Sequence, residues 1–251
     1  MDKKIKKGIY YECLKCGDRI YYDTNKKMVY CKCKAIAIDG CEFYTRINGN
    51  KEDYKSVYIN EDGKVEKRRY YIIFDLEATC WKEKSDKPKE IIEIGAVKLN
   101  ENLVVVNSFS KFVKPTINPV LSNFCKTLTS IQQKDIDNAQ AFNEAVASFE
   151  KWISPEDDIL LISWGYYDKK QILEESSVKN YSGEIIKLLE EKHISLKHEF
   201  AKMRKEKPCG MKKALNKLNL PLEGTHHRGI DDAKNIARIF KVVFSELADR
   251  I

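Results

Sequence analysis

The run Tyr71-Ile72-Ile73-Phe74-Asp75-Leu76-Glu77-Ala78-Thr79-Cys80 constrains this chain more than any other segment. Its apolar, β-branched residues read as a buried strand, and near its end the strand delivers two carboxylates, Asp75 and Glu77. Residues two apart on a strand share a face, so both acids aim at one spot. Two anions held there repel each other and resist burial unless a cation lies between them. Carboxylate oxygens are hard ligands, suited to Mg²⁺ or Mn²⁺ rather than to zinc. The plainer reading is a strand that ends in a polar loop with both acids solvated. The other acids of the chain decide between the two.

At 251 residues there is room for one sizeable domain and a small one. A hydrophobic content of 43% with 33% charged residues describes a soluble globular protein, and no apolar run reaches the length of a membrane span. The start, Met1-Asp2-Lys3-Lys4-Ile5-Lys6-Lys7, is basic with no apolar core behind it, so no signal peptide and a cytoplasmic location are expected. A net charge of +7 favours a polyanionic partner. Lysine is nevertheless spread along the whole chain, as it is when it serves solubility.

Cys13, Cys16, Cys31, Cys33 and Cys41 crowd the N-terminal region, while Cys80, Cys125 and Cys209 stand alone and read as structural. Disulfides are not expected in a reducing compartment, so the cluster reads as metal-binding. Cys13-x2-Cys16 and Cys31-x-Cys33 supply four thiolates for one tetrahedral, structural Zn²⁺. The second pair is closer in sequence than the usual two-residue gap, which leaves open whether Cys41 replaces one ligand. Around these cysteines run the short β-type segments Ile20-Tyr21-Tyr22, Met28-Val29-Tyr30 and Ala35-Ile36-Ala37-Ile38, separated by turns. Residues 1–47 are therefore expected to form a small β-rich, zinc-ribbon-like module, stabilised by metal where its core is too small. Residues 48–69, polar and charged, read as a linker.

A second domain is expected over 70–251. Strands are predicted near 70–76, 91–99, 103–113 and 159–164, and helices near 141–153, 168–176, 183–192, 196–205, 210–218 and 230–247. Strands first, then a strand among helices, indicate an α/β domain on a mixed sheet.

Two further segments carry acids. Asp168 follows the apolar strand Ile159-Leu160-Leu161-Ile162-Ser163-Trp164, at the point where strand gives way to helix. That is a natural place for a functional side chain, and equally for a helix N-cap. In Thr225-His226-His227-Arg228-Gly229-Ile230-Asp231-Asp232, helix phase puts Asp232 on the apolar stripe of Ile236, Ile239 and Val243. Asp231 falls instead with Asn235 and Arg238, toward solvent or a capping role. His226–Asp231 and His227–Asp232 share one spacing, and this phase favours His227 and Asp232 as the working pair. Four acids and a histidine suit phosphodiester hydrolysis, in which two divalent cations clamp the scissile phosphate and a histidine takes the proton of the attacking water.

Phe74-Asp75-Leu76-Glu77-Ala78-Thr79-Cys80, Ile92-Glu93-Ile94-Gly95-Ala96-Val97, Leu121-Ser122-Asn123-Phe124-Cys125 with Leu128-Thr129-Ser130-Ile131, and the segment Gly224 to Arg238 resemble, in this order, the DEDDh 3′→5′ exonucleases of the RNase T/DnaQ-like superfamily. Within that family they are most similar to the branch of the histone-mRNA and small-interfering-RNA 3′ exonucleases and the KapD-type bacterial proteins. The resemblance covers roughly 70–247. It implies an RNase H-like mixed sheet flanked by helices. It also implies Asp75, Glu77, Asp168 and Asp232 as ligands of two Mg²⁺ or Mn²⁺ ions, and His227 as general base. Glu77, Ala78, Thr79, Phe124 and Tyr167 would bind the substrate, with Glu77 at the 3′-hydroxyl and the two aromatics against the last base. In this branch the residue before the second-motif aspartate is often Trp, whereas here it is Tyr167.

The expected activity is metal-dependent 3′→5′ release of 5′-mononucleotides from single-stranded nucleic acid, RNA favoured, with DNA as the alternative substrate. A different class of reading is a non-catalytic zinc-ribbon adaptor that only grips 3′ ends. In the N-terminal module, Lys32, Lys34 and Arg46 beside Tyr30, Phe43 and Tyr44 suit nucleic acid, and a structural or protein-contact role suits the module as well. No membrane partner is expected.

Overall fold

The short aromatic runs of the N-terminal region pair into two small sheets. In the computed structural model, which describes residues 6–153 and 157–248, the chain divides into two units, one running to Arg68 and the other starting at Arg69. Residues Met1 to Ile5 of the basic start lie outside the described residues. The strands of the first unit are β1 (Gly8–Cys13), β2 (Arg19–Tyr21), β3 (Val29–Tyr30), β4 (Ala37–Cys41), β5 (Tyr44–Asn48), β6 (Tyr54–Ile59) and β7 (Val65–Glu66). They form an antiparallel sheet of order β2-β1-β6-β7 and a second of order β3-β4-β5. The buried core holds little more than Ile20, Ile36 and Ile38 with Cys13 and Cys31.

The expected linker at 48–69 is corrected by β6, which pairs along the whole of β1 from Gly8↔Ile59 to Cys13↔Tyr54. Lys55 and Ser56 near its start are exposed, while Val57 and Ile59 are buried. A strand with one solvated face can be this polar and still belong to a sheet.

The second unit contains β8 (Arg69–Ala78), β9 (Ile91–Asn100), β10 (Val105–Lys114), α1 (Asn123–Thr129), α2 (Gln133–Asp137), β11 (Gln140–Ala141), α3 (Phe142–Ile153), β12 (Asp158–Ser163), α4 (Tyr167–Val178), α5 (Glu184–Glu191), β13 (His193–Ser195), α6 (Leu196–Arg204), α7 (Met211–Lys217) and α8 (Gly229–Leu247). Its sheet order is β11-β10-β9-β8-β12-β13. β8, β9 and β10 run as an antiparallel meander, and β12 joins β8 in parallel. The result is the RNase H-like mixed sheet with helices on both faces.

Alternation along β8 assigns those faces. Tyr70, Ile72, Phe74 and Leu76 pack with residues of α3, α4 and α5, including Phe142, Phe149, Ile172 and Leu189. Tyr71 and Ile73 pack on the other face with Phe200 of α6, Leu215 of α7 and Ile236, Phe240 and Val243 of α8. Continuing the odd-numbered series puts Asp75 and Glu77 on the α8 side, where the apolar layer ends. Helices α1 and α2, at seven and five residues, have no apolar stripe long enough to read in sequence. Their ends are set locally: Ser122 Oγ accepts the Cys125 N–H at 3.0 Å, and Asp135 accepts the Gln132 N–H at 2.8 Å. No helix among the described residues is long and apolar enough to cross a membrane.

Candidate active site

Asp75 lies opposite Gly95 in the β8–β9 pairing, and Glu77 lies opposite Glu93. Gly95 lets helix α8 approach the sheet, because a Cβ there would sit 2.0 Å from the Ile230 nitrogen. Glu93, fully buried, accepts the Gly229 N–H at 3.0 Å and the Arg228 Nε–H at 3.1 Å. The first turn of α8 is thereby held against β9, and Asp232 comes beside the acids of β8. Oxygen atoms of Asp75, Glu77 and Asp232 lie within 4.8 Å of one another.

Asp168 enters from the first turn of α4 and accepts the Leu76 N–H at 3.2 Å. Register pairing of β8 with β12 stops at Ile73, so this carboxylate satisfies a main-chain donor just beyond the paired stretch. The N-cap reading of Asp168 is corrected: the cap position is Tyr166, and its side chain makes no capping bond.

All four acids, with His226 and His227, line one cavity of about 430 Å³. Burial, reinforced by Asp168, Glu77 and Asp232, holds the Asp75 carboxyl well above the ordinary carboxylate range. Burial together with the charges of Asp232 and Glu93 raises Glu77 to about 8. Burial raises Asp168 to about 6 against the main-chain hydrogen bonds that favour its anion. Crowded, desolvated, all-oxygen donors of this kind fit hard divalent cations, which would restore the charged forms.

The two histidines divide their duties differently from the sequence expectation. His226 Nδ1 bonds the Asp232 carboxylate at 3.0 and 3.1 Å. His227 meets the same carboxylate through its main-chain N–H at 3.1 Å, and its ring stacks on His226 with centroids 4.0 Å apart. His227 takes a left-handed backbone conformation, φ +63°. Burial and the neighbouring His226 lower its pKa, so the ring is neutral near neutral pH. Asp231 accepts the Thr225 N–H of the preceding loop at 2.9 Å and does not cap α8, whose cap position is Arg228 without a side-chain capping bond. Asn235 is instead fully buried, its amide donating to Glu223 O at 2.7 Å and to Asp231 O at 2.9 Å. These bonds pin the histidine loop to α8.

Of the expected substrate residues, Glu77, Ala78 and Tyr167 line the cavity. Phe124 lies outside its lining, and Thr79 is buried with its hydroxyl accepting the Glu90 N–H at 3.0 Å. That bond ties the Thr79 side chain to Glu90, the residue before β9, and Thr79 is not among the residues lining the cavity. Glu93 and His226 are the residues that sequence reasoning missed. A lone acid in the otherwise apolar run Ile91–Val97 was the available signal for Glu93; helix phase pointed to His227 with Asp232, and no local signal indicated the His226 ring.

In the first unit the sulfurs of Cys13, Cys16, Cys31 and Cys33 gather within 4.8 Å, with Cys13–Cys33 and Cys31–Cys33 at 3.6 Å. A tetrahedron with Zn–S arms of 2.3 Å has edges of about 3.8 Å, so the set fits zinc. The Ile36 N–H points to Cys31 Sγ at 3.4 Å, and main-chain donors at Asp18 and Cys33 lower the Cys16 thiol to about 6. Cys41 stands outside the cluster. Tyr30, Phe43 and Tyr44 are exposed, and Arg46 is paired with Asp39 and lies over the Tyr44 ring.

An acid-bearing central strand, with further acids delivered by flanking helices into one cavity, defines a nuclease-type site on an RNase H-like fold. The chain belongs to the RNase T exonuclease family, whose model matches residues 72–240. A domain family of unknown function, DUF7695, matches residues 5–49. ERI1 exoribonuclease 2 of Danio rerio is 29% identical over 198 residues, covering 67% of this chain and 34% of that protein. The chain thus spans about a third of that relative's length. The 3′-5′ exonuclease Snipper of Drosophila melanogaster is 30% identical over 190 residues, covering 68% of this chain and 67% of that protein. The nuclease domain of 3′hExo, a DEDDh family member bound to rAMP, superposes with a TM-score of 0.64 at 27% identity, covering 70% of this chain and 92% of that one.

Proposed function

We propose that the second unit is a divalent-cation-dependent 3′→5′ exonuclease that releases 5′-mononucleotides from single-stranded ends, with RNA the favoured substrate. The observation that carries this reading is the convergence of Asp75, Glu77, Asp168 and Asp232 with two histidines in one cavity. The exoribonuclease name of the Danio rerio relative and the rAMP bound to the 3′hExo domain support RNA.

Asp75, Glu77 and Asp232 would hold two Mg²⁺ or Mn²⁺ ions, with Asp168 completing the second position. Bound there, the cations would neutralise the scissile phosphate and make the attacking water more acidic. Glu77, at the end of β8, would meet the terminal 3′-hydroxyl, and Tyr167 would hold the last base by stacking. Neutral His227 would accept the proton of the water as it attacks phosphorus. The bond from phosphorus to the 3′ oxygen of the preceding nucleotide then breaks, and that oxygen takes a proton from solvent. His226 would orient Asp232, as a carboxylate-bound imidazole does in metal sites. In the first unit, Cys13, Cys16, Cys31 and Cys33 would hold one structural zinc, and a thiolate site of this kind suits a reducing compartment such as the cytoplasm.

The test uses RNA and DNA oligonucleotides labelled at either end, with EDTA, Mg²⁺ or Mn²⁺. A ladder shortening from the 3′ end, lost with EDTA and in Asp75→Ala, supports the reading, and the faster strand identifies the substrate. Retained binding of 3′ ends without cleavage under any metal would replace it with the adaptor.

A further inference from the structure

Asp168 reaches the cavity from the turn Ser163-Trp164-Gly165-Tyr166, which links β12 to α4. The cap position of α4 makes no side-chain bond, so the aim of Asp168 depends on what else holds that turn. On the proposal that the second unit is a 3′→5′ exonuclease, we infer that His193 is a positioning residue for the reaction. Its imidazole donates from Nε2 to the Ser163 hydroxyl and so fixes the turn that aims Asp168 at the metal position.

The contact follows from strand register. β13 pairs in parallel with β12, and His193 lies opposite Leu161. His193 therefore shares a sheet face with Leu161 and with Ser163, two residues further on. Its Nε2 lies 2.9 Å from Ser163 Oγ. Ser163 is fully buried and donates to Gly165 O at 2.6 Å. The turn is tied down beside it as well: Trp164 O accepts the Lys197 N–H at 2.8 Å, and the Trp164 indole donates to Cys209 O at 3.0 Å. The Ser163 hydroxyl also stands beside the Asp168 carboxylate and favours its anion.

Proton counting fixes the direction of the bond. A serine hydroxyl has one proton, and here it goes to Gly165 O, so Oγ can only accept from the ring. Nε2 therefore carries the imidazole proton and Nδ1 the lone pair. Burial and the charge of Lys169 lower the His193 pKa to about 4, which keeps the ring in this neutral form. Nδ1 is buried and has no hydrogen-bond partner. A phenylalanine at 193 would carry no such unpaired atom, and the imidazole already packs edge-on against Phe74, with ring centroids 5.9 Å apart. What the imidazole supplies in exchange is the Nε2 donor. Groups one step behind a metal ligand act in this way, by restricting where the ligand can point.

The test measures Mn²⁺ affinity by calorimetry and RNA hydrolysis on the full chain. His193→Phe is expected to lose about tenfold in Mn²⁺ affinity and in kcat, with KM and melting temperature unchanged. His193→Gln, whose amide can donate to Ser163, should recover both. Ser163→Ala should show the same loss, and His193→Phe combined with Ser163→Ala should lose no more than either alone, because both break one line of contacts. Nitrogen-15 NMR of the wild-type imidazole should show the Nε2–H form at every pH between about 5.5 and 8, well above its folded pKa. Wild-type Mn²⁺ affinity in His193→Phe would overturn the inference, as would losses that add in full in the double variant or an Nδ1–H imidazole in the wild type. A wild-type protein that cleaves no RNA while the Mn²⁺ losses appear as expected would overturn the exonuclease reading and leave the positioning role standing.

Discussion

Glu93 holds Arg228 and Gly229 with one carboxylate: Oε2 receives the Gly229 N–H at 3.0 Å and the Arg228 Nε–H at 3.1 Å, while Oε1 faces Arg228 Nη2 at 3.3 Å. The pair joins the middle of β9 to the start of α8, and Asp232 is one turn further along that helix. Removing one partner of a buried ion pair leaves the other charge uncompensated, at a cost of about 3–5 kcal/mol. Glu93→Ala is expected to lose stability on that scale in urea denaturation and to bind Mn²⁺ more weakly in calorimetry. A variant with wild-type stability and metal affinity would show that α8 is positioned by other contacts.

Gly95→Ala acts on the same joint from the strand side. The added methyl would meet the Ile230 nitrogen at 2.0 Å, so α8 must move away from β9. Overpacking of this kind costs about 1–3 kcal/mol. A lowered melting temperature together with a larger loss of nuclease rate is expected, since the displaced helix carries Asp232. Full activity would mean that the cavity tolerates the shift.

Metal-free protein should become less stable as the solution becomes more alkaline. Glu77 has a pKa near 8 in the fold against an ordinary value of 4.5, and Asp75 is raised as well. Between those values the folded state retains protons that the unfolded state has released. The stabilisation is complete below about 4.5 and is lost as pH rises through 8. Melting in EDTA at pH 5.5 and at pH 8 should show the fall, and Mn²⁺ should restore stability at pH 8. A melting temperature in EDTA that does not fall between the two pH values would contradict the burial of these carboxylates.

His227→Ala should lower the rate of RNA hydrolysis by about 10²- to 10⁴-fold, the usual contribution of a positioned base. Because the imidazole pKa lies below its ordinary 6.5, the rate should rise with pH through an acidic limb and level off before neutrality. The variant should lose that limb. His226→Ala should keep it while weakening Mn²⁺ binding, since His226 supports Asp232. Should the limb vanish with His226 and persist without His227, their roles are exchanged.

Cys33→Ser should abolish zinc binding in the first unit, whereas Cys41→Ser should retain one zinc per chain by elemental analysis. With so few apolar residues at its centre, the metal-free unit should also lose its β signal in circular dichroism. Zinc retained in Cys33→Ser and lost in Cys41→Ser would redraw the ligand set.

Much of this molecule is local in origin and could be read along the chain. Period-two alternation in β8 put Asp75 and Glu77 on one face, the apolar stripe of α8 separated Asp232 from Asp231, and cysteine spacing marked the four sulfurs. Each is a periodicity or a short-range spacing, which the backbone geometry of strand, helix and turn converts directly into direction. The polar strand β6 is not legible along the chain because its buried residues are only two, and β1, with which it pairs along its whole length, lies more than forty residues away.

What only the tertiary structure decided lies in contacts between segments far apart in the chain. Examples are Asp168 on the Leu76 N–H and Glu93 on Gly229. Helix phase favoured His227 as the partner of Asp232, whereas the fold, with His227 in a left-handed conformation, puts the His226 ring on that carboxylate. A buried acid, likewise, acquires its role from whichever donor the fold brings to it, because desolvation makes an unpaired carboxylate too costly to leave alone.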